Sequence, residues 1–186
     1  QPLTDDSVLM IRAFALSIAI LAAPVLASAE VQLSFYGGVQ SAPDSDISIR
    51  DSVTGDDDFT LAWEGRSFEA PPYYGIRATN WRSPTFGIGL DFTHNKVYPD
   101  DGSLPQDYDV LEFTDGLNIF TINAYRRWDE VFGSVSPYVG GGIGVSMPHV
   151  EVTKGASETC GNQSTGPAAT RIAGASVPIN DRWEVF

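Results

Sequence analysis

The chain has 186 residues and a formal charge of −13, from 24 acidic and 11 basic side chains. This length predicts one ordinary domain rather than several. The acidic balance argues against nucleic-acid binding, because there is no basic field to hold a phosphate backbone. The single cysteine excludes an intramolecular disulfide framework and a cysteine-rich zinc site.

The first element in chain order is an apolar run, Ala13–Ala29, which ends in the small residues Ala27-Ser28-Ala29. A short segment with one positive charge precedes it, as in a secretory signal peptide. A transmembrane anchor is the alternative, but Pro24 interrupts the run, which is also shorter than the ~20 residues of an apolar span. We therefore predict that residues 1–29 are upstream residues plus a signal peptide for export.

The region that follows, residues 30–186, shows an alternation of apolar and polar side chains that is typical of β-strands. In one segment, the apolar Phe86, Ile88, Leu90 and Phe92 are separated by small or polar residues. The alternation predicts six strands and the start of a seventh at Arg182: Val31–Gln40, Phe59–Trp81 with a break at Pro71-Pro72, Phe86–Tyr98, Leu117–Trp128, Pro137–Val150 and Ala168–Ile179.

Short turns and long polar loops also alternate along this region. The long loops are 41–58, 99–115 and 151–166. Short turns at one end and long loops at the other favour an all-β, antiparallel, eight-stranded transmembrane β-barrel of the outer-membrane type, with 30–186 as its single domain. We expect the C-terminal strands to be missing from this chain. A soluble β-sandwich is the rival fold, and it would have no reason to sort its loops by length.

Aromatic side chains lie near many of the predicted strand ends. In an outer-membrane barrel such residues form girdles at the two membrane interfaces. The aromatic residues expected there are Tyr73, Tyr74, Trp81, Tyr98, Trp128, Tyr138 and Trp183.

The first long loop is strongly acidic, with six aspartates between Asp44 and Asp58 and only Arg50 to balance them. Such carboxylates could bind Ca²⁺ or Mg²⁺. Their spacing does not match an EF-hand, however, and a solvated, disordered loop is the favoured interpretation.

The segment Trp63–Tyr74 combines charges, aromatic rings and a rigid Pro-Pro pair near the predicted outer rim. Such a set could bind a sugar by stacking and hydrogen bonding, and the alternative is a bulged strand end stiffened by proline. The candidate substrate-binding residues are Trp63, Glu64, Arg66, Glu69, Tyr73 and Tyr74.

Both histidines of the chain, His94 and His149, fall near the predicted outer rim. His94 has the parity of Phe92 and is expected to face lipid, whereas Asp91 is expected to face the lumen. The candidate catalytic residues are His94, His149, Glu112 and Asp91, and the candidate metal ligands are His94, Glu64 and Asp115. Solvated rim histidines are the alternative. Cys160 lies alone in the third loop and is interpreted as incidental.

Several runs resemble the lipid A oxidase family of outer-membrane β-barrel proteins. The more specific ones are Trp63–Tyr74 and Leu111–Asn118, and the others are Leu33–Gly38, Gly75–Thr79, Gly89–His94, Pro137–Gly142 and Pro148–Glu151. The resemblance implies oxygen-dependent oxidation of the proximal glucosamine of lipid A to 2-aminogluconate, with peroxide as a product and a divalent metal ion involved. No segment of the sequence indicates a flavin or NAD site.

The resemblance also implies the partners of the chain. Lipid A or lipopolysaccharide, other outer-membrane lipids and the export and barrel-assembly machinery would contact a monomer in the outer membrane of a Gram-negative bacterium. Two alternatives stay open. One is a non-catalytic small barrel that stabilises the membrane or meets other surfaces. The other is a lipid A deacylase, which is disfavoured because neither histidine has a serine or threonine two residues further on.

Overall fold

A computed structural model describes residues 30–100, 102–113, 116–129, 131–162 and 166–186, so the predicted signal peptide lies outside the described residues. The described part is all β, with no helix. Its strands are β1 (Glu30–Gly37), β2 (Ser45–Asp51), β3 (Gly55–Leu61), β4 (Trp63–Gly65), β5 (Tyr74–Ser83), β6 (Phe86–Asn95), β7 (Val97–Pro99), β8 (Val110–Glu112), β9 (Leu117–Arg127), β10 (Ser136–Ser146), β11 (His149–Lys154), β12 (Ser157–Asn162), β13 (Gly166–Pro178) and β14 (Glu184–Val185). Among these ranges, no helix is long and apolar enough to cross a membrane.

The main sheet has seven antiparallel strands in the order β1-β5-β6-β9-β10-β13-β14. It is curled into a half-barrel. The curl brings the two edge strands near each other, as shown by the side-chain hydrogen bond that Gln32 on β1 donates to Glu184 on β14. Six long strands and a two-residue seventh confirm the predicted strand count.

The two faces of this sheet differ in polarity, as the alternation predicted. The outer face is apolar and exposed: Leu90 is 65 % exposed and Ile143 70 %. The inner face is polar and buried, with Thr79 at 2 % exposure and Asn123 at 1 %. Leu90 pairs with Ile122, which pairs with Ile143, so apolar side chains form rows across the outer face.

The long loops carry further strands of their own, and the expectation of a disordered acidic loop is wrong. β2 and β3 form an antiparallel hairpin over 45–61. Its aspartates are ordered by nearby donors: Asp51 accepts hydrogen bonds from the backbone N–H groups of Val53 and Thr54, and Asp58 accepts one from Ser48. The remaining loop strands form a β12-β11-β8 sheet and a β4-β7 pair.

Several predicted strand limits are corrected. The first strand ends at Gly37 rather than at Gln40, and the predicted strand Phe59–Trp81 is split among β3, β4 and β5. The predicted break at the Pro71-Pro72 pair is confirmed, since both prolines lie between strands and neither could donate a ladder hydrogen bond. The predicted strand Pro137–Val150 divides into β10 and β11 at Met147 and Pro148.

Two strand residues expected in interfacial girdles, Trp81 and Tyr138, face the interior instead. Trp81 is 6 % exposed and donates a hydrogen bond from its indole N–H to Gln32 at 2.7 Å. Tyr138 lines the same inner space between the two edge strands. The reason is parity: Trp81 alternates in phase with Arg77 and Thr79 on the inner face of β5.

Gly116 has a backbone conformation with φ +77° and lies directly against His94. A Cβ at this position would be 2.4 Å from His94 Cε1. We expect Gly116→Ala to lower the free energy of unfolding by about 1–2 kcal/mol through backbone strain alone. The clash with His94 adds to this loss, and urea unfolding in detergent micelles measures the total. The matched control is Gly55→Ala, where φ is +89° and a Cβ meets no atom within 4 Å. Equal losses in the two variants would contradict this packing role.

Candidate functional site

On the inner face of the main sheet, Asp91 is the centre of a buried polar cluster. Its Oδ1 accepts a hydrogen bond from the Tyr36 hydroxyl at 2.6 Å, and its Oδ2 accepts one from Arg77 Nε at 2.6 Å. The Tyr36 hydroxyl also lies 2.7 Å from Thr93 Oγ1, and the Arg77 guanidinium lies over the rings of Tyr36 and Tyr125. Asp91 therefore lies on the inner face of the curled sheet, the side that its parity predicted. Because both carboxylate oxygens are engaged, the geometry favours a structural role for Asp91 over proton transfer.

His94 lies on the other side of the same strand, opposite Tyr74 on β5 and in phase with Phe92, as its parity predicted. It is 4 % exposed, stacked on the Tyr74 ring with centroids 5.2 Å apart, and its Nδ1 lies 2.9 Å from Asn118 Oδ1. Nε2 is buried under Gly116 and has no hydrogen-bond partner among the described residues. A substrate could reach Nε2 only if the turn that contains Gly116 moved.

The third location is a groove among the long loops, with Arg66 at its centre. Arg66 Nε lies 3.0 Å from Glu64 Oε2, Arg66 Nη1 lies 3.5 Å from Glu69 Oε1, and the guanidinium lies over the Tyr98 ring at 4.6 Å. The hydrogen bond to Glu64 is the main cause that raises the pKa of Arg66, so the side chain stays charged. Glu112 lines the same groove, whose volume is about 410 Å³.

Two of the residues singled out in the sequence, Arg66 and Glu112, therefore line the groove, and Glu64 and Glu69 contact Arg66. The groove also contains residues that sequence reasoning missed or placed elsewhere: Tyr98, Asp100 and Asp109. Tyr98 was expected in a girdle, and its role follows from the pairing of Glu64 with Tyr98 between β4 and β7. Such pairing between distant segments leaves no trace in the local sequence pattern.

The remaining aromatic candidates do not line this groove. Trp63 stacks on Phe113 with centroids 5.2 Å apart and donates a hydrogen bond from Nε1 to Ser45 Oγ at 2.7 Å. Tyr73 lies beside Tyr36 of the inner polar cluster, and their ring centroids are 6.4 Å apart. Trp63 thus joins loop segments to one another, and Tyr73 extends the interior cluster.

His149 and Cys160 meet in the three-stranded loop sheet. His149 Nε2 lies 3.4 Å from Cys160 Sγ, and Cys160 is exposed. The interpretation of Cys160 as incidental did not anticipate this contact, because it depends on the pairing of β11 with β12. His149 therefore lies in the loop sheet and His94 in the main sheet, so the two histidines have different surroundings.

The predicted metal site is not assembled from the residues that the structure describes. Glu64 interacts with Arg66, and His94 is enclosed by Tyr74, Asn118 and Gly116. Asp115 lies outside the described residues. Within the described ranges, no three His, Cys, Asp or Glu side chains come together in a metal-binding group. Glu64 and His94, the two predicted ligands that the structure describes, have different surroundings, and we derive no reaction step through a metal ion.

A network of polar contacts joins the loops to one another. Lys154 on β11 bonds Asp57 of the β2–β3 hairpin and lies 3.1 Å from Asp107, and the Tyr108 hydroxyl donates to Asp57 at 2.6 Å. These hydrogen bonds raise the pKa of Lys154, and the bond from Lys154 is the main cause that lowers the pKa of Asp57. Burial is the main cause that raises the pKa of Tyr108 to about 12, and the hydrogen bond to Asp57 is the second cause.

A second contact in this network, from Ser157 Oγ to Asp51 Oδ2 at 2.6 Å, is expected to open in acid. Ser157 and the backbone N–H groups of Thr54 and Val53 lower the pKa of Asp51 to about 2. Because an unfolded aspartate titrates near ~3.9, the contact stabilises the loops above about pH 4 and is lost as the pH falls towards 2. Hydrogen exchange of residues 45–61 should show this loss of protection.

The matched variant for the acid experiment is Asp51→Asn, which carries no titrating group at this position. We expect it to flatten the pH dependence of exchange in the hairpin, with β9 as the internal reference. Unchanged protection of the wild-type hairpin down to pH 2 would contradict the assigned contact.

Comparisons with protein-family models, with curated proteins and with solved structures yield no match.

Proposed function

We propose that the chain is an outer-membrane β-barrel enzyme that oxidises the proximal glucosamine of lipid A. The single observation that carries the membrane part is the inverted polarity of the main sheet, which is apolar outside and polar inside. Residues such as Phe35 at 73 % exposure and Leu33 at 66 % cover the outer face. A water-soluble protein rarely exposes so extended an apolar surface, whereas a transmembrane barrel requires one.

The sugar site in this proposal is the loop groove centred on Arg66. Long loops of outer-membrane barrels lie on the outer side of the membrane, where the lipid A head group is. The Arg66 guanidinium, already oriented by Glu64 and Glu69, would donate hydrogen bonds to phosphate or hydroxyl oxygens of the head group. The Tyr98 ring packs against the Arg66 guanidinium and limits its movement.

The proposed reaction removes two electrons and two protons from the anomeric C1–OH group of the proximal glucosamine. Molecular oxygen accepts the two electrons and the two protons and becomes hydrogen peroxide. Water then opens the resulting lactone to 2-aminogluconate. Glu112 is the groove carboxylate that we assign to accept the hydroxyl proton, because it lines the same groove as Arg66.

The experiment is mass spectrometry of lipid A from cells that express the full protein. Conversion predicts the gain of one oxygen atom on the proximal sugar and release of peroxide, both dependent on oxygen. Lipid A of unchanged mass from cells with the folded barrel in their outer membrane would overturn the proposal.

A non-catalytic barrel is the second candidate, and one observation favours it. The residues predicted to be catalytic do not converge: Asp91 lies on the inner face, His94 on the outer face and His149 in the loop sheet. A non-catalytic barrel predicts unaltered lipid A together with a membrane-integrity defect when the protein is absent.

A further inference from the structure

We propose that a cavity between the β2–β3 hairpin and the β12-β11-β8 sheet binds one neutral sugar ring. Its volume is about 270 Å³, and it shares no lining residue with the groove centred on Arg66. Sites for drug-sized molecules measure about 300–1,000 Å³, so this cavity suits a smaller ligand such as one monosaccharide unit. The inference does not depend on lipid A oxidation.

Two contacts fix one wall of the cavity against the other. Ser157 Oγ on β12 donates a hydrogen bond to Asp51 Oδ2 at the end of β2, at 2.6 Å. Lys154 at the end of β11 bonds Asp57 on β3. Because both contacts join the hairpin to the loop sheet, the cavity is formed before a ligand arrives, and binding does not have to order its walls.

One part of the lining is aliphatic and consists of Ile49 on β2 with Val150 and Val152 on β11. The two valines are two residues apart in a strand, so they project from the same face of the loop sheet. A pyranose ring carries carbon-bound hydrogens on its faces. Burial of that apolar area against aliphatic side chains is favourable.

Hydroxyl groups border the aliphatic part. Thr159 is directly opposite Val152 across the β11–β12 ladder. Ser157 brings a second hydroxyl from β12, and Ser48 and Thr54 bring two more from the hairpin. A hydroxyl group can both donate and accept hydrogen bonds, as the hydroxyl groups of a sugar can. This border therefore matches the edge of a pyranose ring.

The charged residues of the lining are already paired within the protein. Arg50 lies 3.0 Å from Asp58, and Lys154 lies 3.1 Å from Asp107. Asp51 accepts hydrogen bonds from two backbone N–H groups. An anionic ligand would meet the neighbouring aspartates, and a cationic ligand would compete with Arg50 and Lys154 for their carboxylates. A neutral ligand avoids both costs.

The test is a saturation-transfer NMR titration of the full protein in alkylphosphocholine micelles, whose detergent has no sugar head group. The neutral probes are D-glucose, D-galactose and D-mannose as free sugars, and the delipidated oligosaccharide of lipopolysaccharide as a glycan. Binding of a free hexose would assign the site to free sugar, and binding of the oligosaccharide alone would assign it to the glycan. The 6-phosphate of a hexose that binds should bind about 10-fold more weakly or worse.

Two variants locate the ligand in the cavity. Val152→Trp fills the aliphatic part and should abolish binding, and Thr159→Val removes one hydroxyl and should weaken binding about 2–10-fold. Cys160→Val is the matched control, because Cys160 is exposed and projects from the opposite face of β12. Circular dichroism shows whether each variant is folded. Failure of all four neutral probes to bind, wild-type affinity in either cavity variant, or equal binding of the phosphorylated sugar would overturn the site.

Discussion

Replacing Asp91 with alanine is expected to lower the free energy of unfolding by about 3–5 kcal/mol. Asp91 is 6 % exposed and forms the buried ion pair with Arg77, whose charge would remain inside the sheet without its partner. The Tyr36 hydroxyl would lose its acceptor as well. Urea unfolding of the protein in lipid vesicles measures this loss.

The control for this prediction is an ion pair of the same type on the surface. Arg50 lies 3.0 Å from Asp58 with both side chains largely exposed, so Arg50→Ala should lower the free energy of unfolding far less than Asp91→Ala does. The double variant Arg77→Ala with Asp91→Ala should lose less stability than the sum of the single variants. A loss below about 1 kcal/mol for Asp91→Ala would show that the inner cluster is not a determinant of the fold.

Replacing Arg66 with alanine is expected to reduce lipid A oxidation by about 10–100-fold, a prediction that depends on the proposed function. A hydrogen bond to a charged group contributes about 1.5–3 kcal/mol, which corresponds to that change in rate. Arg66 is the cation of the loop groove, so its loss removes the donor assigned to the head group. The measurement is the fraction of oxidised lipid A at matched levels of folded protein.

Arg82 provides the control for this experiment, since it is an exposed arginine near the end of β5 and does not line the groove. Arg82→Ala should leave oxidation unchanged. Arg66→Lys should not restore the wild-type rate, because an ammonium group cannot reproduce the planar fork of a guanidinium. Full activity of Arg66→Ala would remove the groove from the proposed reaction.

Much of the candidate site could not be predicted from local sequence patterns. The run Trp63–Tyr74 is predicted from the sequence to form one sugar-binding set, but its residues have different surroundings. Arg66 lines the groove, Trp63 contacts Phe113, and Tyr74 contacts His94. Residues next to one another in a strand or turn point in different directions, and their partners come from segments tens of residues away. Glu112 joins Arg66 only because the second long loop, 99–115, lies against the segment between β4 and β5.

The sequence by itself determined the strands of the main sheet and the polarity of its two faces, because a period of two assigns every side chain to one side of a strand. Phe92 and Asp91 were therefore placed correctly on opposite faces. Only the tertiary structure decided that the acidic loop is a hairpin, that His94 is enclosed, and that Cys160 meets His149. Those outcomes depend on pairing between distant strands and on hydrogen-bond donors supplied by other loops, and neither leaves a periodic pattern in the sequence.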